Sequence, residues 1–230
     1  MEMDVLLFCL MGGIVSADTD SAWQSMVSQP LVSCSIAGIL MGDLVLGSVV
    51  GMLLQLPYLA EMPVGGARVS LGNMGVFISA GLAVKLNQIF PGQTNLILLF
   101  TVLYGVALSR LTIPFQNWSR RFNLVLLRKA DLAAEHGNVA KISRLNYLGV
   151  LNSLFFGILF SAIFFFLGKY IMQSAIISFP FKISLPFLKP TLLGAGLGTM
   201  FWLFLKRTTF RYTLIGTVMS AVALLIVWIY

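Results

Sequence analysis

The chain has 230 residues, 58% of them hydrophobic and only 10% charged, with a mean hydropathy of +0.93. An ordinary soluble domain is about a quarter charged, so a water-exposed globular surface is excluded. The net charge of +7 sits in loops between apolar runs, where it follows membrane topology and not nucleic acid. A helix needs about 20 apolar residues to cross the hydrocarbon, which leaves room for roughly six to eight membrane segments. The composition therefore predicts an all-α integral membrane protein, a polytopic helical bundle forming one transmembrane domain.

The N-terminus carries Glu2 and Asp4 where a secretory signal would be basic, so the first segment is expected to stay attached. The apolar run Val5 to Val15 is too short for a straight crossing before the polar patch SADTDSAWQS. It reads as re-entrant, interfacial or a tilted half-span. Leu31 to Ala60 is longer than one crossing, holds Asp43 as its only charge and is interrupted by Pro57, which predicts one span plus a broken or re-entrant piece.

Glu61 to Asn73 (EMPVGGARVSLGN) is polar and glycine-rich between apolar segments. Irregular backbone at that depth is tolerated only against protein or a watery cavity, which makes this stretch a candidate site. Spans follow from about Met74 to Phe90 and from Leu96 to Ser109, the second ended by Arg110 and Pro114. Between Gln116 and Asn146 six basic residues, Arg120, Arg121, Arg128, Lys129, Lys141 and Arg144, face only Asp131 and Glu135. This is a basic amphipathic loop, cytoplasmic by the positive-inside rule. It predicts a helix ending at His136-Gly137 and another beginning at Asn138 as N-cap.

Tyr147 to Gly168 is an uncharged span, followed by a stretch broken by Pro180, Pro186 and Pro190. Thr191 to Leu205 leads to a second basic cluster, Lys206, Arg207 and Arg211, and Tyr212 to Tyr230 crosses once more. The chain thus divides into an N-terminal membrane half with the candidate site (1–115), the basic loop (116–146) and the C-terminal membrane helices (147–230).

Cys9 and Cys34 sit in apolar stretches without metal-ligand spacing and read as buried small hydrophobes. His136 reads as a solvated turn residue, and GAGLG (Gly194, Gly196, Gly198) lacks the dinucleotide pattern. Gly38, Gly42, Gly47 and Gly51 form small-xxx-small pairs suited to close helix contact. No catalytic set, metal cluster or phosphate loop is present, so neither covalent chemistry nor a cofactor is expected of this chain alone. Asp43 carries a mid-membrane penalty of roughly 2.5 to 3.5 kcal/mol; it is read either as a substrate or coupling contact, or as a helix cap or partner of Arg68. Gln24, Asp43, Gln55, Glu61, Arg68, Ser70 and Asn73 are the candidate ligand groups. Such amides, hydroxyls and few charges suit a polyhydroxylated ligand, and suit a helix-packing network nearly as well.

The run QSMVSQPLVSCSIAGILMGDLVLGSVVGMLLQLPYLAEMPVGGA resembles the N-terminal signature of the membrane enzyme IIC of the mannose/sorbose class of the bacterial phosphotransferase system. Matching positions include Gln24, Ser28, Pro30, Gly38, Asp43 and Gln55, then Pro63, Val64 and Gly65. ADLAAEHGNVAKISRLNYLG and TLLGAGLGTMFWLFLKRTTFRYTLIG are similar to the family's later segments. The chain departs from the family pattern at Gln29, usually arginine, at Gln55, often glutamate, and after Gly66, where a P-P-D element is replaced by Ala67-Arg68-Val69.

The resemblance implies a multi-pass subunit of the bacterial cytoplasmic (inner) membrane, assembled as an oligomer. With a membrane IID partner it would pass a hexose or amino sugar that cytoplasmic IIA and IIB phosphocarriers phosphorylate. It also implies re-entrant hairpins in the fold. Two alternatives stay open: a transport-inactive homologue acting as membrane sensor or scaffold, and an unrelated transporter binding subunit that docks on an ATPase.

Overall fold

The computed structural model describes residues 3–59, 71–178 and 188–204, with five further residues between 210 and 219. Every element among them is α-helical: α1 (Met3–Asp20), α2 (Pro30–Met41), α3 (Leu44–Leu59), α4 (Gly72–Ile89), α5 (Thr94–Glu135), α6 (Val139–Ser178) and α7 (Leu188–Phe204). The final crossing and the second basic cluster lie almost entirely outside the described residues.

Helix α4 is the axis of the bundle. Between Gly72 and Leu86 all its residues except Asn73 and Lys85 are buried, as expected of a helix apolar on every side. Small residues let its neighbours reach it. A Cβ on Gly75 would stand 2.6 Å from the Gly105 carbonyl of α5, and one on Gly81 would stand 2.4 Å from the Phe8 ring of α1. Phe8 in turn stacks on Phe77 of α4 with centroids 4.4 Å apart.

Helix α1 runs on past Val15 to Asp20. Its 18 residues measure about 27 Å, so the helix is longer than the apolar run Val5 to Val15 that it contains. The polar patch does not end the helix because its side chains find partners: Thr19 Oγ1 donates to the Val15 carbonyl at 2.8 Å, and Ser16 and Asp18 are buried. α1 lies antiparallel to α6, with Gly12 opposite Ser161 and Ser16 opposite Gly157.

The long apolar run after Pro30 does break into two pieces, but at Gly42-Asp43 and not at Pro57. Gly42 (φ +93°) takes the left-handed conformation that ends α2, and the Asp43 N–H reaches back to the Gly38 carbonyl at 2.8 Å. Asp43 then opens α3, so α2 and α3 form a helical hairpin. Pro57 sits near the C-terminal end of α3, where it gives up the bond to the Leu53 carbonyl with little helix left beyond it to disrupt. Three glycines hold the hairpin shut: a Cβ on Gly47 would stand 2.5 Å from the Cys34 carbonyl, and Gly38 and Gly51 are equally confined. The packing role read for these small residues is thus met. Of the GAGLG glycines on α7, only Gly196 packs closely, against Leu56 and Pro57 of α3.

Helices α5 and α6 have 42 and 40 residues, about 63 and 60 Å, twice the roughly 30 Å of hydrocarbon. α5 passes through Arg110 and Pro114 unbroken, correcting the expected end. Membrane helices tolerate proline because neighbouring helices and local adjustments re-satisfy the freed backbone. The turn between the two helices is as expected, with Gly137 at φ +63° and Asn138 Oδ1 accepting from the Lys141 N–H at 3.0 Å. Between Arg121 and Asn146 only Ala133 is buried, so the basic segment is an arm standing clear of the bundle. Large apolar side chains such as Phe155, Phe166, Tyr170 and Ile171 face outward along α6, as a lipid-facing surface requires.

Candidate functional site

Polar side chains gather at the end of the bundle from which the arm leaves. Asp18, 3% exposed, accepts three hydrogen bonds: from the Ser25 N–H at 2.6 Å and the Ser25 hydroxyl at 2.7 Å on one oxygen, and from the Ser28 N–H at 2.9 Å on the other. It thereby holds the connection 21–29 in place. Within that connection Trp23, Gln24 and Met26 have φ of 64°, 48° and 64°, a conformation costly for side-chain-bearing residues. Gln24 is exposed there.

Gln55, near the C-terminal end of α3, closes the open end of the hairpin. Its Oε1 accepts from the Leu31 N–H at 2.8 Å, one of the N–H groups left over at the start of α2, and its Nε2 donates to Gln29 Oε1 at 3.1 Å. Two of the three places at which the sequence departs from the family pattern, Gln29 and Gln55, are therefore bonded to each other. Asn73 lies half-buried in the first turn of α4, next to Leu71, whose N–H donates to Thr112 Oγ1 at 3.0 Å.

Asp43 belongs to the other end. Its Oδ1 accepts from the Leu46 N–H at 2.9 Å and so caps α3. The neighbouring Met41 carbonyl accepts from Gln88 Nε2 at 2.7 Å, near the C-terminus of α4. Asp43 and Gln55 stand at opposite ends of α3, roughly 18 Å apart at about 1.5 Å per residue, so one monosaccharide does not touch both in this conformation. Glu61, Arg68 and Ser70 lie outside the described residues. The structure therefore brings Gln24, Gln55 and Asn73 to one end and sets Asp43 apart.

A second group of residues meets at the arm end, Asp20 and Arg120 conspicuous in the sequence by their charge and the rest not. Asp20 of α1 faces α5, its Oδ1 3.5 Å from both Gln116 Nε2 and an Arg120 guanidinium nitrogen. Asn152 of α6 donates to the Ser119 hydroxyl at 2.9 Å and to Asn123 Oδ1 at 3.0 Å. Of these, Asp20, Gln116 and Ser119 border a narrow cleft of about 20 Å³ between α1, α5, α6 and the start of α4, room for about one water molecule. The signal was legible: Thr112, Gln116, Ser119 and Arg120 fall on one stripe of α5, at helical spacing. Attention to the basic charges of the segment hid it. A larger groove, about 530 Å³, lies between the arm helices and is walled mainly by Leu126, Leu127, Ile142 and Leu145. Among the described residues no group of His, Cys, Asp and Glu could hold a metal, and both cysteines are buried.

Comparison with known proteins places this architecture. The profile of the family described as the PTS system sorbose-specific IIC component matches residues 3–228. The chain belongs to that family. It is a membrane protein of the sugar-specific phosphotransferase system, in the mannose/sorbose class of IIC components. Two solved structures share its fold. One, described as a membrane protein, has a TM-score of 0.72 at 20% identity over 99% of this chain and 92% of that one. The other is the mannose transporter ManYZ in complex with microcin E492, with a TM-score of 0.54 at 19% identity over 96% of this chain and 87% of that one. A comparison with curated proteins gives no match. IIC membership implies partner components of the phosphotransferase system.

Proposed function

We propose that this IIC subunit binds a hexose or amino sugar and passes it across the bacterial cytoplasmic membrane, together with a membrane IID subunit. Cytoplasmic IIA and IIB phosphocarriers supply the phosphoryl group, and this chain is not itself phosphorylated. The observation that carries the reading is the convergence of Gln24, Gln29, Gln55 and Asn73 at the end of the bundle that bears the basic arm. Amides and hydroxyls that both donate and accept suit a neutral polyol, and polar groups at membrane depth mark substrate pathways.

In this reading Glu61, Arg68 and Ser70 complete the ligand set. Asp43 serves the opposite opening of the route, its carboxylate shared between the helix cap and the arriving sugar. The basic arm, by the positive-inside rule, lies in the cytoplasm.

The test is uptake of labelled hexoses and amino sugars by cells without their own mannose-class permease, supplied with this chain and the IIA, IIB and IID proteins of its system. Sugar phosphate should accumulate only when this chain is present, and Asp43→Ala or Gln55→Ala in a complex that still assembles should lower it. No accumulation from an assembled complex would favour the sensor or scaffold reading instead.

A further inference from the structure

Three polar stripes meet where helices α1, α5 and α6 come together: Ser16 and Asp20 one turn apart on α1, Thr112, Gln116 and Ser119 on successive turns of α5, and Ser153 on α6. Most of these side chains are buried, Gln116 and Ser119 each at 6% exposure. Polar groups in an apolar bundle are costly unless they are bonded to protein or face a polar guest.

Part of this seam is internally satisfied. Asn152 bonds Ser119 and Asn123, and Thr112 Oγ1 accepts from the Leu71 N–H and donates to the Ser109 carbonyl at 2.6 Å. Ser16 and Ser153 are different. They are 4% and 3% exposed, both line the cleft, and neither hydroxyl has a hydrogen-bond partner among the described residues. Ser16 also serves as a small residue in the close α1–α6 contact, opposite Gly157, so what packing leaves over is the unbonded hydroxyl and not the residue.

Two further features give the cleft the character of a ligand site. Phe115, Phe156 and Phe160 supply apolar ring surface beside the polar groups, the mixture typical of small-molecule pockets. Asp20, which lines the cleft, is partly exposed and pairs with Arg120 at 3.5 Å. Leu71, the first described residue after the glycine-rich segment, lines the same space, so the cleft abuts the end of the predicted site.

We propose that this cleft is a second polyol-binding station, at which the sugar contacts Gln116, Ser16 and Ser153 on its way out toward the arm end, and that the structure shows it closed, with Asp20 and Arg120 drawn together at its mouth. The proposal rests on the translocation reading. At about 20 Å³ the cleft holds no sugar as it stands, so entry requires α1 to part from α6, against which it packs at Gly12, Ser16 and Gly157, as well as from α5. On the α5 side Asp20 and Arg120 form one long, partly exposed ion pair, the kind of pairing worth about 1 kcal/mol or less.

The test uses the assembled permease in inside-out membrane vesicles, with D-mannose, D-glucosamine and L-sorbose as probes and no phosphoryl donor. Ser153→Cys is timed against a maleimide; the native Cys9 and Cys34 are buried and serve as background. A sugar that the complete system takes up should slow the labelling about ten-fold at roughly ten times its Kd, by mass action. Gln116→Leu should raise the KM for uptake about ten-fold, the loss of one well-made hydrogen bond to the ligand. Should Ser153→Cys fail to assemble, Ser16→Cys on the facing wall takes its place. Labelling of the Ser153→Cys variant that sugar leaves unchanged, with protection of Gln55→Cys, would overturn the cleft and leave translocation standing. An assembled complex that takes up no sugar would overturn both.

Discussion

Asp18 and Asp43 are two carboxylates in the same apolar body, and they do opposite work. Asp43 makes its bond three residues along the chain, to the Leu46 N–H, and remains half exposed at the hairpin tip. Asp18 is almost fully buried and binds groups seven and ten residues away, gathering a strained connection against the bundle. The first shapes a local turn that its own sequence already encodes; the second holds a tertiary arrangement. A charge conspicuous in an apolar run is therefore not the one on which most of the structure depends.

The comparison can be broken first at the hairpin itself. Gly47→Leu places side-chain atoms where the Cys34 carbonyl and Gly38 Cα already stand; overpacking of this kind costs about 1–3 kcal/mol or more. It should abolish a stable detergent-solubilised subunit, as read by thermal unfolding on size-exclusion chromatography. If Gly47→Leu were as stable as the parent, the close hairpin would be wrong.

Next in size is Asp18→Ala. Losing three hydrogen bonds to one carboxylate should lower stability by about 3 kcal/mol, given about 1.5–3 kcal/mol for a single bond to a charged group and partial rescue by water. Connection 21–29 should become open to limited proteolysis while the helix content seen by circular dichroism stays. Proteolysis unchanged from the parent would remove Asp18 from its holding role.

Gln55→Ala frees the Leu31 N–H and the Gln29 side chain and should cost about 1 kcal/mol. Its uptake defect should exceed its stability defect if Gln55 also meets sugar, which a KM measurement separates from loss of folded protein. The smallest effect belongs to Asp43. Asp43→Ala should cost about 1 kcal/mol as a lost cap, whereas Asp43→Asn, which caps as well, should cost almost nothing. Full uptake by Asp43→Asn would confine Asp43 to capping; lost uptake with unchanged stability would show that its charge meets the ligand.

The sequence alone determined the membrane class, the family, the turn at Gly137-Asn138 and the close-packing glycines of the hairpin. Each of these rests on composition or on residues within a few positions of one another, where local physics is strong. Its boundaries failed where a nominal breaker was weighed without its surroundings: Pro57 stands in a last turn and Pro114 in a membrane helix, so neither ends its helix where expected, while Gly42 and Asp43 together carry a stop and a start. The tertiary structure alone decided which polar groups meet. Asp20 and Arg120 lie 100 residues apart and Gln29 and Gln55 26 apart, distances over which no periodicity operates. Only the packing of α1, α5 and α6 around α4 shows that Gln55 and Asp43, both prominent in the sequence, stand at opposite ends, and that a polar cleft lies among helices that read as plain membrane spans.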